Sequence, residues 1–166
     1  CYLETGQYES AVEDLTAAIQ QRPEQTVCYS MRGNAYYAMG QYEQAKEDVC
    51  RWLELEPDSP SASYYLGLIE YELSNLEAAQ RMVDQSLALD ETYYPSYLLQ
   101  AYIHYSWFNY DECEDWIVKW ATTLYVREGQ DRMIEAIHSL EGIDQPILDG
   151  AVSKLKTTYG DTVYLS

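Results

Sequence analysis

The sequence is poor in positive charge. Its 166 residues carry 10 Lys and Arg against 28 Asp and Glu, a formal net charge of −18. Affinity for nucleic acid or an anionic membrane rests on Lys and Arg close to phosphates, so this balance argues against both. No apolar run approaches the ~18 residues of a bilayer span, and no charged-then-apolar signal segment is present. Phenylalanine occurs once, while tyrosine occurs 18 times and tryptophan 4 times. With 47% hydrophobic residues the chain is no disordered acidic tail. Its length suits one domain with a real core.

Cysteine is equally sparse. Cys1, Cys28, Cys50 and Cys113 form no C-x-x-C pair, and His104 and His138 stand at no metal-finger spacing from them. They read as small buried hydrophobes, with a Cys28–Cys50 bridge as the alternative in an oxidising compartment.

What the chain has instead is a period. Shifted so that Tyr2 falls on Tyr36, it matches itself: Gly6 falls on Gly40, Tyr8 on Tyr42, Ala11 on Ala45 and Pro23 on Pro57. The segments 6–9 and 40–43 are identical. One period further on, Gly33 meets Gly67, Ala45 meets Ala79 and Val49 meets Val83. Another step joins Tyr110, Cys113, Ile117 and Ala101 to the series.

Each unit reads as two helices. In 26–40, Val27, Met31, Tyr36 and Met39 recur at helical spacing, and Gly40 supplies the left-handed stop. In 41–55, Tyr42, Ala45, Val49, Trp52 and Leu53 form an apolar face opposite Glu43, Lys46, Glu47, Asp48, Arg51 and Glu54. Pro57 ends that helix, and Pro60 and Pro95 open the next ones. Gly33, Gly67 and Ala101, with Ala11, Ala45 and Ala79, are small where paired helices must approach closely.

The run Gly33, Tyr36, Gly40, Tyr42, Ala45 and Pro57 closely resembles the tetratricopeptide repeat. The resemblance covers a partial unit (1–25) and units 26–59 and 60–93. A degenerate unit, 94–127, has Phe108 for the turn glycine, Cys113 for the alanine and Tyr125 for the proline. Beyond it, 130–140 and 145–158 still read as helices, so 128–166 is expected to be a helical cap or a divergent repeat. The phase places Tyr2 near the end of a helix that begins before Cys1. The chain therefore reads as a fragment of a longer protein, which argues against a lipid anchor on Cys1.

The resemblance implies an all-α, right-handed superhelix (an α-solenoid) of antiparallel helix pairs. The first helix of each pair lines a concave face that binds peptides or partner helices. Helical spacing places Val27, Ser30, Met31, Asn34 and Tyr37 on that face, then Tyr64, Tyr65, Leu68, Tyr71 and Glu72, then Leu98, Leu99, Tyr102, Tyr105 and Ser106. The candidate peptide-binding residues are Asn34, Tyr37, Tyr64, Tyr65, Leu68, Tyr71, Tyr102 and Tyr105. Tyrosine suits recognition because it joins contact area and a polar tip to few torsions. The competing reading is that the tyrosines pack between repeats, covered by the C-terminal helices. Their hydroxyls lean toward the groove, since a dry core needs none.

Chaperone-binding relatives clamp a peptide's C-terminal carboxylate with Lys, Asn and Arg. Here Asn34 matches one clamp position, while Ser30, Leu68, Pro95 and Leu99 do not match theirs. An apolar or basic partner is therefore expected rather than an acidic C-terminus. Glu112, Glu114 and Asp115 beside Trp116 and Trp120 read as a solvated face, or else a second patch for a basic partner.

No nucleophile–base pair, phosphate loop or metal cluster stands out, and 160–162 lacks the second Gly and the Lys of a phosphate loop. No catalytic residue, cofactor or metal is expected. The functional expectation is a non-enzymatic scaffold or adaptor. The alternatives are a structural, self-associating module whose groove is filled by its own C-terminal helices, and the regulatory module of an enzyme encoded elsewhere in a longer chain.

Overall fold

The computed structural model describes residues 7–159, apart from the side chains of Gln130, Asp131, Ile134, His138 and Tyr159. The expectations that concern Cys1, Tyr2, Gly6, the side chain of His138 and residues 160–162 lie outside the described residues. Among those described there is no strand, and the chain forms two compact units divided between Asp90 and Glu91. The first contains α1 (Tyr8–Gln21), α2 (Thr26–Ala38), α3 (Tyr42–Leu55), α4 (Pro60–Glu72) and α5 (Leu76–Leu89). The second contains α6 (Pro95–Ser106), α7 (Tyr110–Glu128), α8 (Gln130–His138) and α9 (Gln145–Tyr159).

The pairs α2–α3, α4–α5 and α6–α7 are packed hairpins. The small residues set their spacing. A Cβ on Gly33 would sit 3.2 Å from Cγ2 of Val49, and one on Gly67 would sit 3.0 Å from Cγ2 of Val83. Ala45, Ala79 and Cys113 are fully buried on the facing helices. In the first unit Tyr29, Val49, Trp52, Leu66 and Ile69 form one core cluster. In the second, Ile117, Ile143, Ile147 and Leu148 form one cluster, and Trp120, Leu124, Met133, Ile137 and Leu155 form another. α8 and α9 thereby cover the apolar side of α7.

The hairpin turns repeat atom for atom. Gly40 N–H donates to the Tyr37 carbonyl and Gln41 N–H to that of Tyr36. Ser74 and Asn75 make the same pair of bonds to Tyr71 and Glu70, and Phe108 and Asn109 make it to Tyr105 and His104. This is the Schellman closure, which needs a left-handed residue. The φ values are +71° at Gly40, +62° at Ser74 and +60° at Phe108. A bulky side chain in that region is strained by about 1–2 kcal/mol. Phe108 recovers little by burial, since it is 77% exposed. Phe108→Gly is therefore expected to stabilise the protein by about 1 kcal/mol, read as a higher urea midpoint at unchanged slope. A lower midpoint would mean that the ring's edge contact with Tyr110, at 6.2 Å between centroids, outweighs the strain.

Cys28, Cys50 and Cys113 are free thiols. Cys113 is buried as expected, and burial pushes its thiol up to about 11. Cys28 and Cys50 are only half-buried: the Cys28 thiol donates to Oε1 of Gln25 at 3.5 Å, and Cys50 packs at the margin of the first unit's core.

Candidate functional site

In the first unit the tyrosine face is built on α2 and α4. Asn34, Tyr37, Tyr64, Tyr65, Leu68 and Tyr71 are all half-buried. Tyr37 donates its hydroxyl to Oε1 of Glu72 at 2.9 Å, tying α2 to the last turn of α4. Its ring centroid is 5.5 Å from that of Tyr42 on α3. Burial, reinforced by the Glu72 carboxylate, holds the Tyr37 phenol well above its ordinary value. Tyr42 is also raised, chiefly by the charge of Glu72 and then by burial. Tyr64 and Tyr65 meet edge-on at 5.4 Å. The Tyr65 ring turns inward, 6.0 Å from Trp52, and packs on the core.

In the second unit Tyr102 and Tyr105 are half-buried on α6. Tyr102 donates to the Glu141 carbonyl at 2.8 Å, and both rings pack against the cluster containing Ile143 and Ile147. Burial first, then a hydrogen bond to Asp144, raises the Tyr105 phenol. The segment between α8 and α9 thus already lies against these two tyrosines. Leu99, expected on the groove face, is 3% exposed and belongs to the core. Its register is that of Tyr65, whose ring also turns inward.

The acidic patch on α7 is engaged within its own unit. Lys154 on α9 pairs with Asp115 at 2.6 Å and Glu114 at 3.0 Å. Trp120 is 5% exposed, and the Lys119 ammonium covers the Trp116 ring at 3.9 Å. The chain's own Lys154 and Lys119 thus lie against Glu114, Asp115 and Trp116, while Glu112 is exposed. His104 lies between Trp107 and Trp116, at 5.7 and 6.3 Å, in a packing role. No helix among the described residues is long and apolar enough to cross a membrane.

Helical spacing does not reveal that Tyr42, on a different helix, packs on Tyr37 and feels the charge of the Glu72 carboxylate that Tyr37 bonds. The signal was available only as an acidic residue beside Tyr71 at the end of a largely uncharged face.

Helix pairs recurring at a fixed period, with small residues at their crossings, define an α-helical repeat protein of the solenoid class. A tetratricopeptide-repeat family model matches residues 30–92, and a second matches residues 2–47. The chain belongs to the tetratricopeptide-repeat family, a family of protein–protein interaction modules. Its fold is similar to a crystal structure of MamA, with TM-score 0.69 and 20% identity, over 93% of this chain and 88% of that one. It is similar to a tetratricopeptide repeat protein from Parabacteroides merdae, with TM-score 0.65 and 21% identity, over 95% of this chain and 68% of that one. The first such domain of Spaghetti (RPAP3), solved with the HSP90 peptide SRMEEVD, matches with TM-score 0.55 and 14% identity, over 80% of this chain and 91% of that one. No curated protein matches the sequence.

Proposed function

We propose that this chain is a non-enzymatic adaptor that takes an extended peptide or partner helix on the α2–α4 face of its first unit. Asn34, Tyr37, Tyr64, Tyr65, Leu68 and Tyr71 are the contact residues. The observation that supports this reading is the face itself: half-buried rings, several in mutual contact, that keep part of their area open to solvent. Rigid amphipathic rings of this kind are common binding anchors. The RPAP3 neighbour binds a peptide ending in Glu-Glu-Val-Asp. This chain has one of the five clamp residues for such an end and carries −18, so its partner is apolar or basic.

Peptide-display selection on the chain tests the reading. Selected peptides should share a motif, and Tyr64→Ala and Tyr71→Ala should each weaken them by about 2 kcal/mol or more. Tyr65 is a poor probe, because truncating a ring packed on the core confounds binding with folding. A motif that binds equally well to both variants overturns the proposal.

A second reading is favoured by one observation. Tyr102 and Tyr105 on α6 already hold the α8–α9 segment. On this reading the tyrosines of the second unit are filled by the chain itself and serve as a structural closure.

A further inference from the structure

The Glu72 carboxylate, like that of Glu56, which accepts from Thr26 and Trp52, is held by a neutral donor and not by a cation. The Tyr37 hydroxyl of α2 donates to Glu72 at 2.9 Å, and Tyr42 of α3, whose ring packs on that of Tyr37, lies near enough for the carboxylate's charge to raise its phenol. Neutral donors orient a carboxylate without cancelling its charge. A carboxylate offers about four acceptor directions, so one hydroxyl leaves most of its capacity for another donor. The buried or half-buried cations nearby are committed elsewhere: Lys46 to Glu70 at 2.8 Å, and Arg32 to Asp48 at 2.6 Å. No Lys or Arg among the described residues pairs with Glu72, and Glu72 is exposed. Beside it the Tyr37 and Tyr42 rings stand 5.5 Å apart, tilted at 56°. A fixed, uncompensated carboxylate next to two aromatic rings combines ion pairing with cation–π attraction.

We infer that Tyr37, Tyr42 and Glu72 form a subsite for the positively charged side chain of a Lys or Arg in the polypeptide bound by the α2–α4 face. The inference rests on the proposed groove and gives its ligand a chemical requirement. Arginine fits best, since its planar guanidinium both stacks on a ring and bridges a carboxylate. The Tyr37 hydroxyl bond holds the carboxylate in place before the ligand arrives, which lowers the ordering cost of binding.

The probe is Nα-acetyl-arginine amide, titrated into the whole chain at an ionic strength of about 150 mM and followed by backbone amide chemical shifts. Saturable shifts are expected at the C-terminal ends of α2 and α4 and the start of α3. The neutral isostere Nα-acetyl-citrulline amide should give none. Glu72→Gln keeps an acceptor for Tyr37 and so preserves the fold, and it should weaken the arginine probe about tenfold. Glu47→Gln, an exposed acid on α3, should leave it unchanged. Shifts spread over the acidic surface, equal shifts with citrulline, or an unchanged affinity in Glu72→Gln would overturn the subsite. The groove fails separately. Display peptides that depend on Tyr64 but contain no basic residue would retain the groove and remove the subsite. A Glu72-dependent arginine site without any selected motif would do the reverse.

Discussion

Replacing Arg32 by alanine is expected to destabilise the first unit by about 3–5 kcal/mol. The Arg32 guanidinium donates from Nε to Asp48 Oδ2 at 2.7 Å and from Nη2 to Oδ1 at 2.6 Å, a bidentate fork between α2 and α3. Its Nη1 reaches the Thr16 hydroxyl on α1 at 2.9 Å. Asp48 is only 4% exposed, so truncating Arg32 strands a carboxylate in the interior. The period supplies the control. Moved on by one repeat, Arg32 and Asp48 become Leu66 and Met82, an apolar pair in the same core. The double variant Arg32→Leu, Asp48→Met copies that pair and removes both charges together. It should be neutral or up to about 1–4 kcal/mol more stable than the parent, since neither group is left unpaired. Urea unfolding followed by tryptophan fluorescence measures both. A single variant that costs under about 1 kcal/mol would show that water reaches Asp48 and that the pair behaves as a surface bridge.

The repeat architecture was legible because it depends on single residues at fixed spacing. Gly33, Gly67 and Ala101 are small where helices cross, and Gly40 is the left-handed stop. Where the period is met by another residue, the geometry persists and the sequence signal fades. Ser74 and Phe108 adopt the turn of Gly40 with the same two hydrogen bonds. Neither residue advertises a positive φ, so tertiary packing overrides local preference there. The end of α7 shows the converse. Tyr125 stands two periods on from Pro57 and α7 runs on to Glu128, whereas α5 stops at Leu89 with Glu91 in the proline's place, so the missing proline permits the longer helix without dictating it. The candidate site was less legible, because it depends on where hydroxyls go. Tyr29 donates to the Pro23 carbonyl at 3.0 Å and Tyr97 to that of Glu91 at 2.7 Å, each reaching back to the loop before its own helix. Such bonds give structural work to hydroxyls that composition alone suggests are free for a ligand. The tyrosine excess therefore divides. Some rings, such as Tyr29 and Tyr97, brace the loops between pairs, while Tyr37, Tyr64, Tyr65 and Tyr71 on α2 and α4 remain half-open.

Trp120→Ala carries the other large expected effect, a loss of about 3–5 kcal/mol in the second unit. Trp120 is 5% exposed and lies in one cluster with Leu124 of α7, Met133 and Ile137 of α8, and Leu155 of α9. Its removal opens a cavity where three helices meet, and that meeting holds the C-terminal pair on α7. The register reinforces the point: Trp52, two repeats earlier, occupies the matching position and is 9% exposed within the first unit's core. Loss of Trp120 should appear as faster amide exchange in α8 and α9, the elements that depend on that cluster. The consequence for function separates the two readings of the second unit's tyrosines. Tyr102 is held by the Glu141 carbonyl, in the segment between α8 and α9, and Tyr105 packs on the cluster that contains Ile143 of the same segment. If that segment occupies a binding face on α6, loosening it frees the two rings. Peptides from the display selection should then bind Trp120→Ala more tightly, in a manner abolished by adding Tyr102→Ala. If affinity is unchanged while exchange in α8 and α9 accelerates, Tyr102 and Tyr105 are braces for the C-terminal pair. Recognition then belongs to the tyrosines of α2 and α4 alone.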